Sequence, residues 1–267
     1  MQELTSLLDK VIQIVGEVAS IIKDAPFSTE EKTEATNIVT TNDLLSQKYL
    51  MEKLSVILPG SGFYCEEEGV CDCDKEYVWI IDPIDGTTNY SRGIADCGIS
   101  VALLHNKKAV LGVVRSIFNN DVYYAIRGKG AYYNGKPICV SQNPFNRSIL
   151  CTAMSLYKKE HAKVCDNIIY ETYMQCNDVR RFGSCAMELC YIATGRCELY
   201  FEIRVFPWDY AAGYLILSEA GGIVRGLGDE ELTFDRPSVV VGANTKENYG
   251  KLTQIINKHL KNTPYQE

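Results

Sequence analysis

Trp79-Ile80-Ile81-Asp82-Pro83-Ile84-Asp85-Gly86-Thr87-Thr88-Asn89 is the stretch on which the reading of this chain turns. The apolar run from Tyr77 to Ile81 has the composition of a buried strand, and two aspartates three residues apart stand at its C-terminal end. The Asp82-Pro83 step is expected to break the strand, because proline has no backbone donor and restricts the residue before it. Such a break swings both carboxylates and the Ile84 carbonyl towards one point. Gly86 lets backbone approach closely, and Thr87-Thr88 add hydroxyls and N–H groups suited to a phosphate. Hard oxygen ligands without Cys or His favour Mg²⁺. An Asx-rich turn that merely caps a helix is the competing reading of the same residues.

Further acids stand outward from this stretch. Glu66-Glu67-Glu68 lies a short loop upstream, Asp43 sits at an expected helix start, and Trp208-Asp209 begins another helix far downstream. Taken singly, a triple Glu run is solvated surface and an Asp at a helix start is a cap. Taken together they are a different matter. Two like charges ~4 Å apart repel by ~4 kcal/mol at an effective dielectric of about 20. Four converging carboxylates therefore need cations, and two or three divalent ions neutralise them.

Composition bounds the alternatives. The 267 residues are 46% hydrophobic and 23% charged, which rules out disorder and low-complexity scaffolds and suits one domain over 1–267. The net charge is −7 without a Lys/Arg-dense stretch, so neither a nucleic-acid footprint nor a basic membrane patch is expected. Arg180-Arg181 is too small to count as one. No stretch is long and apolar enough to span a bilayer. Eleven cysteines without an apparent secretory signal point to reduced thiols in the cytoplasm. Cys71-Asp72-Cys73 lacks the second pair that a zinc site needs. With only His105, His161 and His259, all outside any recognisable setting, chemistry is expected to run on carboxylates.

Periodicity supplies the frame. Leu4 to Ala25 reads as an amphipathic helix and 27–40 as loop or irregular extended chain. A second helix is expected from Thr41-Asn42-Asp43 to Pro59. Strands are expected at 77–81, 98–103, 110–114 and 122–125, with a hairpin turn at Asn134-Gly135. This sub-region, about 1–144, is helices plus a largely antiparallel sheet. From about 145 to 267 the pattern is more α/β. It has strands at 148–152, 197–202 and 239–241, a helical region at 158–175, and helices starting at Ser184, Asp209 and Lys246. The Asp209 helix is expected to stop at Gly221-Gly222.

Two long runs, WIIDPIDGTTNY at 79–90 and WDYAAGYLILSEAGG at 208–222, resemble the two signatures of the inositol monophosphatase family. That family belongs to the lithium-sensitive, magnesium-dependent phosphatase superfamily, with fructose-1,6-bisphosphatases and bisphosphate nucleotidases. The likeness covers nearly the whole chain, in family order. It implies an α+β fold, a layered αβαβα sandwich, and two to three Mg²⁺ per active site. By resemblance, Glu66, Asp82 and the Ile84 carbonyl hold the first ion, Asp82, Asp85 and Asp209 the second, and Glu66 with waters a weaker third. Gly86 and Thr87 N–H groups take the phosphate, and Thr87 with Asp43 orients the attacking water. Glu202, Asp85, Asp209 and the Gly183-Ser184-Cys185 segment meet the organic part. Cys185 stands where Ala is more usual, Cys65 where Gly is, and Phe206 where several bacterial relatives carry Arg. Lys32 matches a loop lysine near the metals, with a solvated surface lysine as the alternative. The register within the three glutamates favours Glu66 over Glu67.

The function so implied is a Mg²⁺-dependent phosphomonoesterase, inhibited by lithium and dimeric, acting on myo-inositol 1-phosphate and related polyol or sugar phosphates. The alternative within the superfamily is a fructose-1,6-bisphosphatase or a 3′(2′),5′-bisphosphate nucleotidase, with Arg180, Arg181 or Arg204 on the second phosphate; the competing reading of those arginines is surface charge. A non-catalytic binding protein on the same fold, as some bacterial relatives engage transcription machinery, is the reading from another class.

Overall fold

The computed structural model describes residues 2–31, 38–69, 71–153 and 159–260. Helix α1, Gln2–Lys23, buries Leu8, Val11, Val15, Val18 and Ile22, a stripe at steps of three and four. The segment expected to be irregular contributes two short strands, β1 at Thr29–Glu31 and β2 at Ile38–Thr40, paired antiparallel. Helix α2, Thr41–Ile57, is capped one residue earlier than the sequence suggested. Thr40 is the N-cap and Asp43 reaches back to it in a capping box.

A seven-stranded sheet follows. Its strands are β3 at Gly62–Cys65, β4 at Tyr77–Asp85, β5 at Gly98–His105, β6 at Lys108–Ser116, β7 at Val122–Ile126, β8 at Ala131–Tyr133 and β9 at Lys136–Ile138. They lie side by side in that order, β3 parallel to β4 and the rest antiparallel. A short helix, α3 at Thr87–Ser91, separates β4 from β5. Asn134 and Gly135 take φ of +48° and +81°, the backbone of a two-residue hairpin whose twist matches its strands.

The second sheet is mixed. Its strands are β10 at Ile149–Thr152, β11 at Asp178–Arg180, β12 at Leu199–Val205, β13 at Ile223–Arg225 and β14 at Ser238–Ala243, ordered β11-β10-β12-β14-β13. The helices here are α4 at Ala162–Tyr173, α5 at Cys185–Ala193, α6 at Pro207–Glu219 and α7 at Lys246–Leu260. The helical region expected at 158–175 is shorter: residue 158 lies outside the described residues, Lys159–His161 is a 3₁₀ turn, and α4 begins at Ala162. Helix α6 starts two residues before Asp209, because Pro207 suits the first helical position, where no N–H is needed.

Alternation along β4 sets the layers. Trp79 and Ile81 face α1 and α2, in a cluster with Val15, Leu50 and Leu54. Val78 and Ile80 face the opposite way, into a core shared with α5, α6 and one face of the second sheet. Leu199, Phe201 and Val241 on the far face of that sheet pack on α4 and α7. The order helix, sheet, helix, sheet, helix is the expected αβαβα sandwich. No described helix is long and apolar enough to cross a membrane.

The Asp82-Pro83 step does not end β4. The ladder runs on to Asp85, but three steps from Asp82 to Asp85 face two from Ser100 to Gly98. One extra residue is absorbed there as a bulge, which is where a strand tolerates a residue without an N–H. Strand β4 therefore bends rather than breaks, and both aspartates stay on it.

Helix α6 lies directly on β6. A Cβ on Gly112 would sit 2.9 Å from the Ala212 carbonyl oxygen and 3.2 Å from its Cα, so backbone meets backbone there. Gly112→Val is expected to push α6 off the sheet and to cost about 2–3 kcal/mol, as overpacking does. A urea midpoint unchanged from the parent would contradict that packing.

Candidate metal centre

Each acid of the centre is held by one oxygen and offers the other. The Ile84 N–H donates to Asp82 Oδ1 at 3.0 Å, across the β4 bulge. The Ala186 N–H and the Ser184 hydroxyl, at the start of α5, donate to Asp85 Oδ2 at 2.7 and 2.6 Å. The Phe206 N–H donates to Asp209 Oδ2 at 2.8 Å, the backbone half of a capping arrangement for α6. The Ser100 hydroxyl, on β5, donates to the Trp208 carbonyl at 3.0 Å and ties that first turn to the sheet. So anchored, Asp82, Asp85 and Asp209 bring one carboxylate oxygen each within 4.8 Å of one another.

Glu66 lines the same cavity, and Glu67 does not. The Glu66 N–H donates to the Ile81 carbonyl at 3.2 Å, continuing the β3–β4 pairing to the mouth of the site. The side chain of buried Gln47, on α2, brackets Glu67. Its amide donates to the Glu67 carbonyl at 2.9 Å and its carbonyl accepts the Glu67 N–H at 3.0 Å. That bracket sets the register of the acidic run and leaves Glu66 towards the aspartates.

Asp43 is wholly buried and sits against Thr87. Thr87 Oγ1 is 3.1 Å from Asp43 Oδ1 and 3.0 Å from the Ile84 carbonyl, and its single proton serves one at a time. The other Asp43 oxygen takes the Thr40 N–H at 2.7 Å. Gly86 adopts φ +88°, and a Cβ there would meet the Gly183 carbonyl oxygen at 3.0 Å. Only glycine allows that turn and that approach together.

The cavity, about 720 Å³, is also lined by Gly183, Ser184, Cys185, Glu188 and Glu202 and by three arginines, Arg92, Arg181 and Arg204. Tyr200 donates its hydroxyl to Glu202 Oε2 at 2.7 Å. Glu188 accepts the Phe182 and Gly183 N–H groups at 2.8 and 3.0 Å, which shapes the turn before α5. The sequence reading passed over Glu188 and Arg92. For Glu188 the available signal was one acid inside the otherwise apolar run Cys185-Ala-Met-Glu-Leu-Cys190. Arg180 is turned elsewhere, in an ion pair with Asp178, and Lys32 lies outside the described residues. Cys71 and Cys73 are not part of any ligand cluster among the described residues.

Burial dominates the electrostatics. It pushes the Asp43 carboxyl up to about 6 and the Asp85 carboxyl up to about 7, against hydrogen bonds that pull both down. Asp82 and Asp209 rise well above the ordinary carboxylate range, from burial first and then from the neighbouring acids. At 4.8 Å each pair of charges repels by about 3 kcal/mol at an effective dielectric near 20. Protons relieve that repulsion at low pH; at neutral pH a divalent cation held by these same oxygens would do so. An all-oxygen donor set of buried carboxylates and a main-chain carbonyl fits a hard cation such as Mg²⁺.

A family model described as the inositol monophosphatase family matches residues 1–261. A putative Nus factor SuhB from Neisseria meningitidis serogroup B is 36% identical over 226 residues, 84% of this chain and 86% of the relative. The solved IMPase of Thermotoga maritima superposes with a TM-score of 0.85 at 27% identity, covering 98% of this chain and 99% of that one. The staphylococcal IMPase-II with inositol monophosphate bound gives 0.81 at 26% identity, over 95% of each chain.

The raised carboxyls set a pH dependence. Their folded values lie above their unfolded ones, so protonation stabilises the metal-free fold below about pH 4, and this is lost as pH rises through about 7. The rise in Tm produced by Mg²⁺ is therefore expected to be larger at pH 8 than at pH 5.5. Thermal scans with and without Mg²⁺ at the two pH values test this; an equal or reversed increment contradicts it.

Proposed function

The chain belongs to the inositol monophosphatase family, and on that premise we propose that it is a divalent-metal-dependent phosphomonoesterase acting on myo-inositol 1-phosphate and related polyol or sugar phosphates. The observation that carries the reading is the meeting of Asp82, Asp85 and Asp209 within 4.8 Å, in a cavity shared with Glu66 and the Thr87–Asp43 pair. Glu66, Asp82 and the Ile84 carbonyl would hold one Mg²⁺ and Asp82, Asp85 and Asp209 a second, with Glu66 contributing to a weaker third. Ions held there supply Lewis acidity, lowering the pKa of water and stabilising charge on the phosphoryl and leaving oxygens.

The protein's own groups do the rest. Gly86 and Thr87 offer N–H groups to the phosphate where α3 begins. Asp43 Oδ1 accepts the hydrogen bond of the Thr87 hydroxyl, which leaves the Thr87 oxygen free to accept from, and so orient, an attacking water. No side chain need form a covalent phosphoenzyme, in keeping with the absence of a histidine among the described residues that line the cavity. Glu202, fixed at Oε2 by Tyr200, accepts hydroxyls of the polyol at its other oxygen. The Ser184 hydroxyl is engaged with Asp85, so its role is to position that acid. The same family reading carries lithium inhibition, a homodimer and a cytoplasmic setting.

A second reading comes from the SuhB relatives, which are named as Nus factors. It sets a regulatory role with a nucleic-acid-linked partner against the expectation of none. The net charge of −7 and the complete acid set favour catalysis.

Phosphate release from myo-inositol 1-phosphate, fructose bisphosphate and adenosine bisphosphate, with and without Mg²⁺, tests the proposal. Activity is expected only with Mg²⁺. Thr87→Val is expected to lower kcat by about a hundredfold or more, the scale on which a positioned proton-transfer group acts, and Asp209→Asn to raise the Mg²⁺ requirement sharply. A preparation inert to all three esters, or an Asp209→Asn variant with unaltered metal dependence, would overturn the proposal.

A further inference from the structure

Helix α2 brings more than Asp43 to the centre. Asp43, Ser46 and Gln47 stand three and four residues apart, so they share one face of the helix, and all three are buried. The same face continues with Leu50 and Leu54, which join the core around Trp79 and Ile81. Packing alone would keep such a face apolar throughout. This one turns polar at the level of the site, where a buried hydroxyl or amide is costly unless it is hydrogen-bonded.

Each of the three side chains reaches a different segment of chain. Asp43 meets Thr87, as described above. Ser46 donates its hydroxyl to the Pro83 carbonyl at 3.0 Å, inside the β4 bulge and one residue before Ile84. Gln47 holds both main-chain groups of Glu67, one residue after Glu66. This last contact is a substitute for a strand. β3 is the edge of its sheet, and its pairing with β4 runs as far as the Glu66 N–H on the Ile81 carbonyl. At the next residue the Gln47 amide supplies one donor and one acceptor, as a neighbouring strand would. Glu66 and the Ile84 carbonyl, assigned above to one ion, thus arrive on two arms of chain, and α2 grips both. Asp85 and Asp209, assigned to the other ion, take their N–H donors from the starts of α5 and α6.

We propose that Gln47 and Ser46 are positioning residues that set how tightly the ion bounded by Glu66 and the Ile84 carbonyl is held, independently of the ion bounded by Asp85 and Asp209. This rests on the two-ion reading of the centre.

Binding of Mn²⁺, read from the electron paramagnetic resonance of the free ion, tests the inference without turnover. An Asp209→Asn background leaves the Glu66 position to be read, and a Glu66→Gln background leaves the other. With Asp209→Asn, Gln47→Met is expected to raise the Mn²⁺ Kd about tenfold or more, the scale on which outer partners of metal ligands act. Ser46→Ala removes a single oxygen atom and is the milder change for folding; it is expected to raise that Kd about threefold, as one lost hydrogen bond does. With Glu66→Gln, both changes are expected to stay within about twofold. Ser148→Ala serves as the control. Ser148 is equally buried and donates to the Pro144 carbonyl at 3.1 Å, so its loss is expected to lower Tm and leave both Mn²⁺ constants unchanged. In the chain without background changes, Gln47→Met is expected to raise the Mg²⁺ needed for half-maximal phosphate release, with KM for the ester at saturating Mg²⁺ unaltered. Equal rises in the two backgrounds, no rise with Asp209→Asn, or a loss of all binding in that background overturns the inference. A parent that takes up no Mn²⁺ removes the two-ion reading as well, whereas uptake indifferent to Gln47 and Ser46 leaves that reading standing.

Discussion

Like charges gathered out of water are the constraint around which this molecule is organised. Asp82, Asp85 and Asp209 share one volume, and burial pushes all three carboxyls up from the ordinary range, Asp85 to about 7. The fold meets part of that cost with main-chain donors. Ile84, Ala186 and Phe206 each give an N–H to one of the three carboxylates. Those donors come from a β-bulge and from the first turns of α5 and α6, so the geometry of the acids is the geometry of three element termini. What the N–H groups leave uncancelled is the negative field that a hard cation fills.

The layered architecture explains why these termini meet. Sheet alternation fixes Trp79 and Ile81 against the outer helices and Val78 and Ile80 against α5 and α6, which brings the C-terminal end of β4 to the mouths of those two helices. Gly112 and Gly86 allow the close approaches, one between sheet and helix and one between the α3 turn and the Gly183 loop. A buried acid with half its oxygens committed is rigid, and rigidity of this kind is what phosphoryl chemistry asks of a protein.

Much of this was legible from residues alone, for identifiable reasons. Continuous apolar runs mark β4 and β5, and a period of three to four marks α1 and α7, so those elements could be placed. Strands β3, β11 and β13 were not, because three or four residues hold too little alternation to register. Pro83 was read correctly as lacking a donor but wrongly as ending the strand: neighbouring ladder bonds to β5 outweigh a single lost one once a bulge absorbs it. The Asp82–Asp85 spacing marked the centre, whereas its union with Asp209, more than a hundred residues away, came from resemblance, since sequence distance says nothing about proximity. Glu188 went unnoticed because its neighbours are apolar and its role, holding two N–H groups of a turn, leaves no periodic trace.

The proposed chemistry needs little beyond these parts: a pocket that gathers negative charge, a hydroxyl poised on Asp43, and polar groups that sort the ester by its alcohol. Diffraction from crystals soaked in Mn²⁺, with anomalous difference maps, tests the central claim most directly. The account predicts a peak bounded by Asp82, Asp85 and Asp209, with a second near Glu66 and the Ile84 carbonyl. Density showing those three aspartates turned apart, or no anomalous peak among them at millimolar Mn²⁺ and neutral pH, would contradict it.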